Sequence, residues 1–400
     1  MQTEEPLRVS AFLNRVPEVT IFFWIIKVLG TTVGETAADF LNVNLNLGLT
    51  VTSVITGALL AGALFVQFRA KRYVPSIYWS AVVLISIFGT LVTDNLTDVL
   101  NVPLEVSTVV FSVLLAGTFA VWYWKEKNLS MHSIVTAQRE AYYWLAILFT
   151  FALGTAAGDL LAEGLGLGYF TTGIIVAVAI AAIAVAWRFG LNAVLSFWLI
   201  YILTRPLGAS IGDLLTQPHK YGGLGLGTPL TSALFIAAIV GTVLYLSVTK
   251  KDVTSIEEVK KDIAPKKEST KTVLQVAVTL GIVLLASSSG YLWYTHNEQA
   301  VPLATPQQPA HSVEDYSPFT TISQNMLAAV SANDAAKAKA AANDLEHEWD
   351  VAESRLKPLD RAKWTEIDDA IDAVLREVRS VKPNKERELK AIHELLTTLS

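Results

Sequence analysis

Nine runs of about twenty mostly apolar residues decide what this chain can fold into. They cover 19–41, 48–68, 76–100, 105–124, 141–163, 168–187, 191–217, 228–248 and 272–294. Each is long enough to cross a hydrocarbon layer as a helix. No water reaches a bare peptide group there, so each segment must bond its own backbone. Barrel strands would alternate polar and apolar residues, and these runs do not. Mean hydropathy is +0.43 and only 17% of residues are charged. The pattern predicts an all-α polytopic membrane protein.

Four of the runs share one line of sequence. GTTVGETAADFLN starts at Gly30, GTLVTDNLTDVLN at Gly89, GTAAGDLLAEGLG at Gly154 and GASIGDLLTQPHK at Gly208. Four residues after the first glycine stands a small residue: Gly34, Thr93, Gly158 or Gly212. Five after it stands an acid: Glu35, Asp94, Asp159 or Asp213. Nine after it stand Asp39, Asp98, Glu163 and then Gln217. A turn and a returning helix follow, opening with hydroxyls: Thr52 and Ser53, Ser107 and Thr108, Thr171 and Thr172, Thr231 and Ser232. The unit is a helical hairpin, present four times and inserted each time in the same direction.

At 100° per residue the two small positions share a face, where a neighbouring helix can approach closely. The acids fall about 140–180° away from the first glycine. Arranged around an axis, four such helices would stack a deeper layer, Glu35, Asp94, Asp159 and Asp213, beneath an outer layer, Asp39, Asp98, Glu163 and Gln217. Lys27 and Arg205 each precede their repeat glycine by three residues. As charge partners they would lie about 12 Å below the deeper acids.

Lysine and arginine mark the ends. Arg8, Arg15, Arg69, Lys71, Arg72, Lys125, Lys127, Arg139, Arg188 and seven lysines in 250–271 fall in alternate connections. By the positive-inside rule the N-terminus is cytoplasmic and odd spans run outward. The expected organisation is a cytoplasmic N-terminus (1–18), a four-hairpin domain of eight spans (19–248) and a cytoplasmic linker (249–271). A ninth span (272–294), a Pro/Gln-rich tether (295–318) and an extracytoplasmic, periplasmic helical bundle (319–400) follow. The expected location is the cell inner membrane. In the bundle, Trp364, Ile367, Ile371, Val374, Leu375 and Val378 form one apolar stripe. Trp122, Tyr123, Trp124, Tyr142, Tyr143 and Trp144 read as an interfacial belt.

An acid within a bilayer costs on the order of 3 kcal/mol, and seven clustered carboxylates repel one another. Protons, protein cations or a bound metal relieve that. A hard divalent cation, Mn, Ca or Mg, suits carboxylate and hydroxyl oxygens. The expected metal ligands are Glu35, Asp94, Asp159, Asp213, Asp39, Asp98 and Glu163, with His219 a weaker candidate. No cofactor beyond such a cation is expected. The chain has no cysteine, which excludes disulfides and thiolate metal sites. The Gly-x-Gly-Asp of intramembrane aspartyl proteases is incomplete at Ala156-Ala157-Gly158-Asp159 and at Ser210-Ile211-Gly212-Asp213. No other catalytic signature is present, so no enzyme is expected.

On these hairpins and the helical tail, the chain resembles an uncharacterised family of bacterial multi-pass membrane-anchored proteins. The resemblance covers mainly 19–248 and implies no established activity. The acid motifs are also similar in kind to those of manganese and calcium/proton exchangers, whose Glu-x-Gly-Asp-Lys/Arg signature is absent here. The expected function is cation transport or permeation through a central carboxylate-lined site, with proton coupling one form of it. The alternative is a non-transporting envelope sensor or scaffold whose tail binds a protein partner. The lipid bilayer is an expected partner and nucleic acid is not.

Overall fold

A computed structural model describes residues 14–41, 47–100, 102–165, 167–216, 224–255, 257, 259, 315–356, 359–380 and 383–400. The expected ninth span lies outside them, as do most of the linker and the tether up to 314. Among the described residues, eight helices are long and apolar enough to cross a membrane: α1 (Ile21–Asp39), α2 (Leu49–Arg69), α3 (Pro75–Asp94), α4 (Leu104–Glu126), α5 (Ala137–Asp159), α6 (Gly168–Arg188), α7 (Ala193–Thr216) and α8 (Thr228–Thr249). Their ends follow local chemistry. Thr20 and Thr136 cap α1 and α5 with their hydroxyls, and Asn192 accepts from Val194 N and Leu195 N at the start of α7. Prolines open α3 and α8, where a missing N–H costs nothing.

The odd helices make an inner ring. α1 packs on α3, α3 on α5, α5 on α7, and α7 back on α1. The even helices surround it, and each leans on the inner helix of the next repeat: α2 on α3, α4 on α5, α6 on α7, α8 on α1. Burial follows the two rings. More than half of each inner span is buried, against 11 to 28% of each outer span. Val54, Phe65, Val109, Val113, Val178 and Leu244 on the outer helices stay exposed, as a lipid-facing surface requires.

Glycines close the inner ring. A Cβ on Gly34 would stand 1.9 Å from Ser86 Oγ of α3, and one on Gly89 2.9 Å from Phe151 Cβ of α5. A Cβ on Gly154 would stand 2.5 Å from Arg205 Cβ of α7, and one on Gly208 1.8 Å from Thr31 Oγ1 of α1. The small-residue face therefore does what its spacing predicts, at all four junctions.

The acid-bearing ends are less regular than an ideal helix. α3 and α5 run on into π-helical turns, Asn95–Val99 and Leu160–Gly164. In these turns Leu100 N bonds Asn95 O and Leu165 N bonds Leu160 O. Asp98 and Glu163 sit on these wide turns, so the 100° phase drawn from the first glycine does not extend to them.

At the opposite end the connections are stitched together. Glu140, fully buried, accepts from Arg15 Nη1 at 2.7 Å, from Gln67 Nε2 at 2.8 Å and from Trp144 Nε1 at 3.4 Å. Tyr73 donates to Asp252 at 2.5 Å, and His132 meets Glu18 at 3.1 Å. The His132 contact holds the Glu18 carboxyl below the usual glutamate range, against burial.

The tail is a four-helix bundle: α9 (Ser317–Ser331), α10 (Ala335–Leu356), α11 (Arg361–Arg379) and α12 (Lys385–Thr398). It starts two residues before the expected boundary because Pro318 fits the first turn of α9. The expected stripe of α11 is buried, and Trp349 stacks on Trp364 at 3.7 Å. Asp360 and Asn384 cap α11 and α12.

Candidate functional site

Arg205 organises the acid half of the ring. Its guanidinium is fully buried, pairs with Glu35 and donates to Thr90 Oγ1 at 2.5 Å. Asp159 and Asp94 act electrostatically on the same group. An arginine supplied by the fourth repeat therefore pairs with the acid of the first and lies in the field of the acids of the second and third. Their level differs from the sequence expectation, which set Arg205 about 12 Å deeper. That spacing measured rise along one helix axis. The extended side chains of Arg205 and Glu35 close that gap, since Gly208 faces Thr31 and the two helices are nearly in register.

Glu35, Asp94, Asp159 and Asp213 are half-buried, and Asp39 is exposed beyond them. Asp39 lies in the field of Glu35, of Glu346 and Arg379 of the tail, and of Arg205. Asp94, Asp159 and Asp213 all have interaction partners. The side chains of Asp98 and Glu163 lie outside the described residues, as do Gln217 and His219. Among the described residues, no three His, Asp or Glu side chains are grouped as a metal cage. Glu35, Asp94 and Asp159 share a counter-ion in Arg205.

Lys27 lies further in and is fully buried. Its ammonium stands 3.6 Å from the centre of the Phe151 ring and 4.3 Å from that of Tyr201. Among the described residues it pairs with no carboxylate, so ring faces are its main compensation. Arg205 lies close enough to repel it.

Beyond Lys27 the centre is filled. Phe23 of α1, Tyr78 and Trp79 of α3, Tyr143 and Trp144 of α5, and Phe197, Trp198 and Tyr201 of α7 pack with ring centres 5.0 to 6.5 Å apart. The Tyr78 and Tyr143 hydroxyls bond each other at 2.5 Å. This corrects the belt reading for Tyr143, Trp144 and Trp122, all of which are buried. Trp124, 67% exposed, keeps a surface position. The ring is thus polar at its acid end, where α10 of the tail packs on the Leu160–Gly164 turn, and plugged by aromatics toward its basic end.

Sequence reasoning missed Thr90 as an arginine ligand and Glu140 as the anchor of the basic end. A signal existed for the second. Glu140 is an acid at the head of a span in the lysine- and arginine-rich connections, where Arg15 and Gln67 supply donors.

A family model described as a repeat of unknown function, DUF347, matches residues 22–73, 77–128, 142–189 and 196–252. The chain belongs to the DUF347 repeat family. The four matches take one hairpin each, and each contains one of the four glycine-acid lines. No curated protein and no solved structure matches the chain.

Proposed function

We propose that this DUF347 protein moves a cation, with Mn, Ca or Mg the best-suited class, through the four-repeat ring. One observation carries the reading: the buried guanidinium of Arg205 pairs with Glu35 and lies in the field of Asp94 and Asp159, acids of three repeats. Gathered carboxylates at one mouth of a membrane bundle concentrate cations and select for charge. Arg205 then acts as a tethered counter-ion. A cation or proton arriving at Glu35 competes with it, which makes cargo entry and arginine release one event. The aromatic plug closes the other half, so passage requires the inner helices to move.

The acid mouth faces outward in this reading and the N-terminus is cytoplasmic, as the lysine and arginine distribution favours. The setting is the cell inner membrane. Reconstituted liposomes test the proposal. Glu35→Gln with Asp94→Asn should abolish uptake of Mn²⁺, Ca²⁺ and Mg²⁺ while the protein still elutes as a folded species. Undiminished flux in that folded double variant refutes it.

The tail's separate core favours a second role, binding of an extracytoplasmic protein partner. Removing 300–400 separates the two. Retained flux leaves transport to the ring, and lost function with an intact ring assigns it to the tail.

A further inference from the structure

Each outer helix opens with a hydroxyl that the fold buries and does not use. Thr52, Ser107, Thr172 and Thr231 are 0 to 1% exposed. Their oxygens have no hydrogen-bond partner. A helical serine or threonine ordinarily turns back to the carbonyl one turn earlier. Ser53 does so to Leu49 O at 2.8 Å, Thr56 to Thr52 O at 2.8 Å and Thr93 to Gly89 O at 3.2 Å. The four buried hydroxyls share position in the repeat and share the lack of that bond.

Two seams show where they lie. Between α2 and α3, Asn95 Nδ2 donates to Ser53 Oγ at 2.8 Å. Between α8 and α1, Ser232 donates to Thr36 Oγ1 at 2.6 Å. Asn95 and Thr36 are equivalent, six residues past Gly89 and Gly30 and one past Asp94 and Glu35. Ser53 and Ser232 directly follow Thr52 and Thr231. The unused hydroxyls therefore enter the seams at the level of the deeper acids. Repetition sets Ser107 beside α5 at Asp159, and between α6 and α7 a Cβ on Gly173, next to Thr172, would stand 3.0 Å from Ser210 Cβ, within a turn of Asp213.

We propose that the seams form a second set of cargo ligands, pairing Glu35 with Thr231, Asp94 with Thr52, Asp159 with Ser107 and Asp213 with Thr172. Each hydroxyl oxygen replaces one water of a hard divalent cation that the adjacent carboxylate attracts. A carboxylate–hydroxyl pair serves where no group of three acids forms a cage among the described residues. An unpartnered buried hydroxyl costs free energy in the empty protein and gains a partner when the ion arrives. The inference rests on the cation reading above and adds the neutral half of the site.

The test uses the full chain in detergent, titrated with Mn²⁺, Ca²⁺ or Mg²⁺ and followed by thermal shift. Thr52→Val with Thr231→Val should weaken apparent affinity about tenfold, as for loss of polar contacts to a charged ligand. Thr52→Ser with Thr231→Ser should retain it. Without added metal the valine variant should melt at the same temperature as the parent or higher. Unchanged affinity in the valine variant, with affinity lost in Glu35→Gln/Asp94→Asn, overturns the hydroxyl proposal and leaves the cation reading standing. A parent protein with no cation-dependent shift overturns both.

Discussion

Alanine at the ring glycines gives the sharpest test of the architecture. At Gly34 the added carbon would meet Ser86 Oγ at 1.9 Å, Ser86 Cβ at 2.7 Å and the Ser86 carbonyl carbon at 3.0 Å. Rotating the serine relieves only the first contact. At Gly208 it would meet Thr31 Cβ at 2.6 Å and Thr32 N at 3.2 Å, so backbone again blocks the escape. Overpacking of this kind costs about 1–3 kcal/mol. Alanine recovers up to ~1 kcal/mol of helix propensity. Gly34→Ala and Gly208→Ala should thus destabilise by about 1–2 kcal/mol net. Gly62, Gly117 and Gly241 on the outer helices have nothing within 4 Å of the same carbon. There alanine should stabilise by up to ~1 kcal/mol. Apparent melting temperatures from fluorescence-detected size exclusion, in one detergent, would rank the five variants. Gly34→Ala and Gly208→Ala melting as high as Gly62→Ala and Gly241→Ala would refute the inner ring.

The Glu35–Arg205 pair lends itself to a double-mutant cycle. Removing one partner of a buried pair costs about 3–5 kcal/mol, so Glu35→Gln alone should melt well below the parent, and Glu35→Gln/Arg205→Met should recover most of the loss. Additive losses would place the two groups in separate environments. At the basic end, the Glu18 carboxyl has a folded pKa below its unfolded one. Its contribution is present above the unfolded value and disappears as pH falls through the folded one. Melting curves between pH 7 and pH 3 should therefore show a shallower acid limb for Glu18→Gln than for the parent, and parallel limbs would contradict the contact.

The eight spans and the four-fold repeat were legible because length, apolarity and fixed offsets are properties of the chain alone. Gly34, Gly89, Gly154 and Gly208 were legible as contact points for the same reason. Their partners were not. A small-residue face does not say which neighbour fills it, so the packing of α2 on α3 rather than on α1 had no signature. The acids were found, but Arg205 was misplaced because rise per residue ignores side-chain reach. Tyr143 and Trp144 were misread because an aromatic cluster near a span end has the same composition as an interfacial belt. The helices of the tail were legible from periodicity, as in the Trp364–Val378 stripe.

The closed circle of inner helices has a consequence for how such a protein distributes charge. Four identical subunits assembled around an axis would carry four copies of every side chain or none. Linking the hairpins in one polypeptide removes that constraint. The sequence then supplies one guanidinium at Arg205, one ammonium at Lys27 and a glutamine, Gln217, at the fourth outer position where the other three have acids. Covalent linkage of the repeats is what permits a single arginine to answer three carboxylates.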